Sequence, residues 1–185
     1  MLRDLYKEAE KKMKKAIEAC EGEMRALRTG RASTGLVEHV EVSAYETLQP
    51  LKQLATITTP DARTIQIQPW DRNLLGAIEK AILAANIGLT PNNDGRLIRI
   101  NIPPLTEERR KELVKVVKQQ AEDGRVAVRN VRRHVNDEIK ATEKRHEISE
   151  DEREKARGEV QKLTDKHIGE IDKLLEVKEK EIMEV

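Results

Sequence analysis

The sequence predicts an α+β protein of two domains, a long three-helix bundle with a small β/α/β domain inserted into it. Three observations carry this. All six prolines (Pro50, Pro60, Pro69, Pro91, Pro103 and Pro104) lie between residues 50 and 104, and proline is excluded from helix interiors. Charge divides at the same places: residues 30–105 hold only 14 of the 69 charged side chains, and the flanks hold the other 55. Long, proline-free, highly charged segments cannot bury a wide core, but they form long helices joined by narrow apolar seams. The expected bundle is therefore discontinuous, residues 1–29 and 106–185, and the inserted domain is 30–105.

In the first flank Leu2, Leu5, Ala9, Met13, Ala16, Cys20, Met24 and Leu27 recur at steps of three and four, one stripe of a helix. The helix should end near Thr29-Gly30, where glycine can take the left-handed conformation. In the insert, Val37–Val42, Ala55–Thr59, Thr64–Gln68 and Leu97–Ile102 are short, β-branched and alternating, hence strands. Asp71 is placed to cap a helix over Arg72–Asn86 with an apolar face of Leu75, Ile78, Ile82 and Ala85. Asn92-Asn93-Asp94-Gly95 signals a turn before the last strand.

The second flank opens at Pro103-Pro104-Leu105-Thr106-Glu107-Glu108. Two prolines forbid helix before Leu105, Thr106 is a natural N-cap, and the glutamates suit the helix dipole. The seam of that helix reads Val114, Val117, Ala121, Gly124, Val128, Val131 and Val135. A third helix starts at Ser149-Glu150-Asp151-Glu152, which has capping-box spacing, and runs its stripe through Val160, Leu163, His167, Ile171 and Leu174. Three helices with one seam each close into a bundle, since each stripe then has two partners.

Composition narrows the function classes. With no Phe, one Trp and two Tyr, both cores must be aliphatic. The single cysteine, Cys20, excludes an internal disulfide and fits a reducing cytosol. Met1 to Cys20 mixes Lys and Glu, so no signal peptide is expected, and no segment approaches the roughly 20 apolar residues of a membrane span. A cytoplasmic protein without a membrane partner is expected. The net charge of +1 hides an asymmetry: +2 over residues 1–29, 0 over 30–105, +4 over 106–146 and −5 over 147–185.

The functional signal lies on the second helix. At 100° per residue, Arg125, Arg129, Arg132, Arg133, Lys111, Lys115, Lys118 and Lys140 share one face, interrupted only by Glu122. The stripe extends about 44 Å at roughly 1.5 Å per residue. Such a strip suits a phosphate backbone, because each cation near a phosphate releases condensed counterions and arginine adds bidentate hydrogen bonds. The competing reading is a solvated face neutralised by the acidic third helix. No aromatic residue on this face could stack a base, so contact would be to backbone and shape. Thr29 to Ser33 leaves the bundle and Ile102 to Leu105 returns to it. Two short connectors permit bending while limiting twist, so both connectors are hinge candidates. For catalysis there is little: His39, His134, His146 and His167 are scattered, no glycine-rich phosphate loop is present, and no metal, cofactor or catalytic residue is expected. The alternatives are an interaction module that recruits a partner helix and, more distantly, an enzyme.

Four separated segments resemble bacterial ribosome recycling factor: Leu27-Arg28-Thr29-Gly30-Arg31-Ala32-Ser33, Pro103 to Lys111, Val126 to Arg133 and Gln161-Lys162-Leu163-Thr164-Asp165. The resemblance runs in order over essentially the whole chain. It implies an L-shaped, non-enzymatic translation factor that binds the post-termination ribosome. With elongation factor G and GTP, such a factor would dissociate the ribosome into subunits for a new round of initiation. It further implies contacts to large-subunit ribosomal RNA, with Arg132 foremost, Arg129, Arg133 and Arg125 on the same face, and Arg28 in the neighbouring motif. By the same resemblance Gly30 to Ala32 and Pro103 to Leu105 match the hinge. The expected protein is a cytoplasmic monomer that takes neither DNA nor a membrane.

Overall fold

The computed structural model describes residues 1–184. Its elements, in chain order, are α1 (Leu2–Ala26), β1 (Glu41–Ala44), β2 (Thr47–Pro50), β3 (Ala55–Asp61), β4 (Thr64–Pro69), α2 (Leu75–Ala84), β5 (Pro91–Asn93), β6 (Ile98–Asn101), α3 (Glu107–Lys144) and α4 (Glu150–Glu184). Contacts divide them into two compact units. Met1–Met24 and Lys111–Lys180 form one, and Arg25–Arg110 with the last turn of α4 from Glu181 form the other.

The first unit is a three-helix bundle of α1, α3 and α4. Its seam buries Ala9, Met13, Ile17, Cys20 and Met24 of α1 and Leu113, Val117, Ala121, Val128, Val135 and Ile139 of α3. Ala156, Val160, Thr164, His167 and Ile171 of α4 complete it. The three-four rhythm of the sequence locates these stripes, with small shifts in register. Val114, Val131, Leu163 and Leu174 are half-buried flanks, while Leu113, Ile139 and Thr164 take central places. Thr106 and Ser149 cap α3 and α4 as their sequences require. The Arg109 N–H donates to Thr106 Oγ1 at 3.1 Å, and Ser149 and Glu152 exchange bonds of 2.8 and 3.2 Å in a reciprocal capping box. The two polar residues in the α4 seam bond to their own helix, while the buried His167 Nε2 has no hydrogen-bond partner. Thr164 Oγ1 donates to the Val160 carbonyl at 2.8 Å, and His167 Nδ1 lies 2.6 Å from the Leu163 carbonyl.

Gly124 lies at a tight point of the seam. A side-chain carbon there would lie 3.1 Å from Cys20 Sγ of α1 and 3.2 Å from Ile171 Cδ1 of α4, so any larger residue would require these side chains to give way. Burial pushes the Cys20 thiol above its ordinary pKa, and the residue packs as a small core side chain, its Sγ 3.6 Å from the Gln120 carbonyl.

The second unit holds a four-stranded antiparallel sheet in the order β3-β4-β6-β5, and β1 and β2 pair separately as a hairpin. Helix α2 packs on β1 and β5. The core is aliphatic, with Val37, Val42, Leu51, Ile65, Ile67, Ile78, Ile82, Ile98 and Ile100 at 0 % exposure, each contributing about 1.5–3 kcal/mol by its burial.

Local chemistry moves several boundaries from their expected places. Val37–Val42 is not a strand throughout. Ser33 accepts the Gly35 N–H at 3.3 Å and starts a 3-10 turn at Thr34–Leu36, turns continue to Val40, and the strand begins only at Glu41. Val37 and Val42 nevertheless reach the core from either side of that turn. Asp71 does cap, accepting the Asn73 N–H at 2.9 Å, but the first turn is 3-10 and α2 ends at Ala84, which leaves Ala85 exposed. Strands β2 and β5 were not expected. β5 consists of Pro91 and the two asparagines of the turn signal, and it sits at the sheet edge where a missing N–H is tolerated. Helix α1 stops at Ala26, before the expected Thr29, and Gly30 takes φ +74°.

Candidate nucleic-acid interface

A helix of 38 residues presents the cations of α3 at the expected spacing, but their surroundings divide them into two groups. Arg125, next to the close-approach glycine, is drawn inward, and only 20 % of its side chain is exposed. Its Nε and Nη2 donate to Asp172 Oδ1 of α4 at 2.9 and 2.6 Å, and Nη1 donates to Glu122 Oε2 at 3.2 Å. Burial opposes the charge on Arg125, yet the hydrogen bonds to Asp172 and Glu122 outweigh it and leave the pKa raised. Arg129 Nη1 donates to the other oxygen of Glu122 at 3.0 Å. The Arg129 bond, followed by that of Arg125, holds the Glu122 carboxyl below the usual carboxylate range. Lys118 faces Glu179 of α4 at 3.8 Å.

One and two turns further on the setting changes. Arg132 Nη1 donates to the amide oxygen of Gln161 at 3.4 Å, and Gln161 is itself oriented by its bond to Asp165 at 2.8 Å. Arg133 is exposed and makes only a long bond, 3.5 Å, to Asn130. Among the described residues neither arginine has a carboxylate within ion-pair distance, and the same holds for Lys115 and Lys140. An amide holds a guanidinium without discharging it. Arg132, half-buried, and Arg133, exposed, are thus unneutralised, a setting in which their N–H groups can donate to phosphate oxygens. The interhelical pairing that competed with the nucleic-acid reading is real for Lys118 and Arg125, while Arg129 is paired within α3 by Glu122. The sequence located Glu122 within the stripe, but Asp172 and Glu179 could be assigned to it only once the α3–α4 register was known.

Arg28 belongs by its contacts to the other unit. Its guanidinium lies over Gly88, where a side-chain carbon would come within 2.7 Å of Nη1, and Gly88 takes φ +70°. The connectors are anchored to one hairpin turn of that unit: Ala32 N–H donates to the Ala62 carbonyl at 2.7 Å and Ile102 N–H to the Arg63 carbonyl at 2.8 Å. Thr29 and Gly30 are buried, and Arg31, Pro103 and Pro104 are exposed. Among the described residues no group of three or more His, Cys, Asp or Glu is placed to hold a metal, and no helix is long and apolar enough to cross a membrane.

Comparison with known proteins gives this geometry a context. The ribosome recycling factor family model matches residues 20–183. Ribosome-recycling factors of Symbiobacterium thermophilum and Carboxydothermus hydrogenoformans are 53 % and 54 % identical over 185 residues, the full length of both chains in each case. That of Oleidesulfovibrio alaskensis is 55 % identical over 178 residues, 96 % of this chain and 97 % of its own. A solution structure of the ribosome recycling factor superposes with a TM-score of 0.82 at 52 % identity, covering 100 % of this chain and 98 % of that one. A second neighbour, with a TM-score of 0.72, 50 % identity and 99 % coverage of both chains, comes from models of the T. thermophilus ribosome recycling factor and E. coli elongation factor G bound to the E. coli post-termination complex. A helical bundle with a small β domain, matched at half identity along its whole length, leaves one assignment: the chain belongs to the ribosome recycling factor family.

Proposed function

We propose that the chain binds the post-termination ribosome and, with elongation factor G and GTP, dissociates it into subunits, anchored on large-subunit ribosomal RNA through the Arg129–Arg133 stretch of α3. The observation that carries the anchoring is the contrast along one helix: Arg132 and Arg133 meet only amides, whereas Arg125 is consumed by Asp172 and Glu122. Arg132 and Arg133 are the principal phosphate contacts, Arg129 shares itself with Glu122, and Arg125 acts by fixing α3 to α4. Arg28 is exposed and is a further contact outside α3. A structural neighbour bound to the post-termination complex alongside elongation factor G supports the choice of partners.

The family is one of non-enzymatic translation factors, so the energy for splitting comes from the GTPase. The chain acts in the cytoplasm as a monomer and transmits that push through its two connectors. Gly30, with its left-handed backbone, and Arg31 and Ala32 form one flexing point, and Pro103, Pro104 and Leu105 form the other. Among the described residues the exposed large apolar side chains of the long helices and the N-terminus, Met1, Val116, Val126, Val177 and Met183, are separated along the chain, which is ordinary for a protein surface. The deciding experiment is pelleting with purified vacant ribosomes at several salt concentrations. Wild-type protein should pellet in a salt-sensitive way and Arg132→Ala should lose binding with unchanged helicity. Equal pelleting of both proteins would overturn the anchoring.

A further inference from the structure

Along α3 the cations Lys118, Arg125 and Arg132 follow one another at steps of seven, and along α4 the acids Asp165, Asp172 and Glu179 do the same. Seven residues are close to two turns, so each set keeps to one flank of its helix. Lys118 faces Glu179 at 3.8 Å and Arg125 faces Asp172 at 2.6 Å. A step of seven forward on α3 is therefore a step of seven back on α4, and the third rung of this antiparallel ladder is Arg132 opposite Asp165. That rung is not closed. Gln161 lies one turn from Asp165 on the same face of α4 and occupies both partners. Its amide N–H donates to Asp165 Oδ1 at 2.8 Å, and its Oε1 accepts a bond from Arg132 Nη1 at 3.4 Å. The register sets acid against Arg132 as it does against Arg125, and one amide keeps the two apart.

We infer that Gln161 is a positioning residue for ribosome binding: by holding Asp165 it keeps the Arg132 guanidinium open to phosphate. A carboxylate could engage the guanidinium through two parallel bonds and oppose its charge, and phosphate would then have to break that pair. The amide does neither. Its bond to Arg132 is longer than the usual N–H···O range and uses one of five donors, and no second bond of this side chain is found among the described residues. Gln161 and Asp165 are both exposed, so neither fills the core. A Gln–Asp pair at this spacing also supports a helix by itself, but that role would be served anywhere on the solvent face of α4. Here it falls on the rung whose cation is left without an acid.

The inference rests on the proposed function, since it takes Arg132 as the group that meets ribosomal RNA. Full-length variants are pelleted with purified vacant ribosomes at several salt concentrations, with Arg132→Ala as the reference. Gln161→Met keeps the length of the side chain and removes its amide, and at an exposed helical position it should leave the circular dichroism unchanged. Arg132 should then close on Asp165. Affinity should fall about twofold to fivefold, the range in which an exposed ion pair must first be broken, and the slope against log salt should flatten by up to about one unit. Adding Asp165→Asn should restore both affinity and slope, because the guanidinium then has no carboxylate to close on. A role for Gln161 in helix stability alone predicts the reverse, since a second lost bond cannot repair the first. Wild-type binding by Gln161→Met, or a loss that persists in the double variant, overturns the inference and leaves Arg132 as the anchor. If Arg132→Ala itself pellets like the wild type, the proposed anchoring fails and the inference with it.

Discussion

Between Lys118 and Arg129 the cations of α3 are matched by Glu122, Asp172 and Glu179, whereas Arg132, Arg133 and Lys140 on the same face meet no carboxylate at ion-pair distance among the described residues. The two stretches have the same residue types, the same helix and the same angular position. What separates them is the partner within reach. Beside Gly124, Arg125 finds Asp172 across the seam and Glu122 on its own helix, and Glu122 also holds Arg129. A turn or two later α4 offers Gln161, which orients Arg132 without cancelling its charge. A stripe of like charge is therefore two devices, one that holds the bundle and one that remains available to a polyanion.

The strongest way to break this comparison is to remove the available group. Arg132→Ala should weaken ribosome binding about tenfold to hundredfold, or about 1.4–2.8 kcal/mol, the scale of a charge-assisted contact, with the circular dichroism unchanged. Wild-type binding should also fall with log salt at a slope of about −2 to −4, each neutralised phosphate contributing about −0.7 to −0.9. A flat salt response would mean that the unpaired arginines meet no phosphate.

The converse test acts on the seam. Gly124→Val forces branched carbons into a gap where even one carbon would touch Cys20 and Ile171, and should destabilise the bundle by about 1–3 kcal/mol in thermal or urea melts. Binding measured well below the melting point should change less than in Arg132→Ala. A Gly124→Val protein as stable as the wild type would show that Cys20 and Ile171 can give way without cost.

A smaller effect is expected from the paired arginine itself. Arg125→Ala should cost about 0.2–1 kcal/mol of stability, the range for a partly exposed ion pair, and leave ribosome affinity within about twofold, a change of about 0.4 kcal/mol. If Arg125→Ala instead weakened binding as much as Arg132→Ala, the division of the stripe would be wrong.

Much of this was legible in the sequence because helices announce themselves. Proline placement separated insert from flanks, three-four spacing located the seams, and Thr106 and Ser149 named the caps. The insert was less legible. The β1–β2 turn is built on Tyr45-Glu46, residues that carry no turn signal, and Pro91 concealed an edge strand. The cationic face could be drawn from angles alone, but its division could not, because Asp172 and Glu179 lie 47 and 61 residues from Arg125 and Lys118. Interhelical partners depend on the register between helices, which a single stripe does not contain. Likewise, nothing in the neighbourhood of Arg28 in the chain pointed to Gly88.

Glu122 offers the finest test, since it is the residue that makes Arg129 belong to the first stretch. Its carboxyl is held below the usual range by Arg129 and then Arg125, so the pairing is present above its unfolded pKa of about 4.3 and is lost as pH falls through the lower folded value. At neutral pH the glutamate is fully charged and both arginines are engaged. Glu122→Gln keeps the shape and removes the charge, which acid could do only at the risk of disturbing every other carboxylate. With Arg129 released, affinity for ribosomes should rise about two- to threefold, or about 0.4–0.7 kcal/mol, and the salt slope should steepen by up to about one unit as one more phosphate is met. A gain in affinity with an unchanged slope would place Arg129 beside the interface rather than on it, and no gain at all would confine phosphate recognition to Arg132 and its neighbours further along α3.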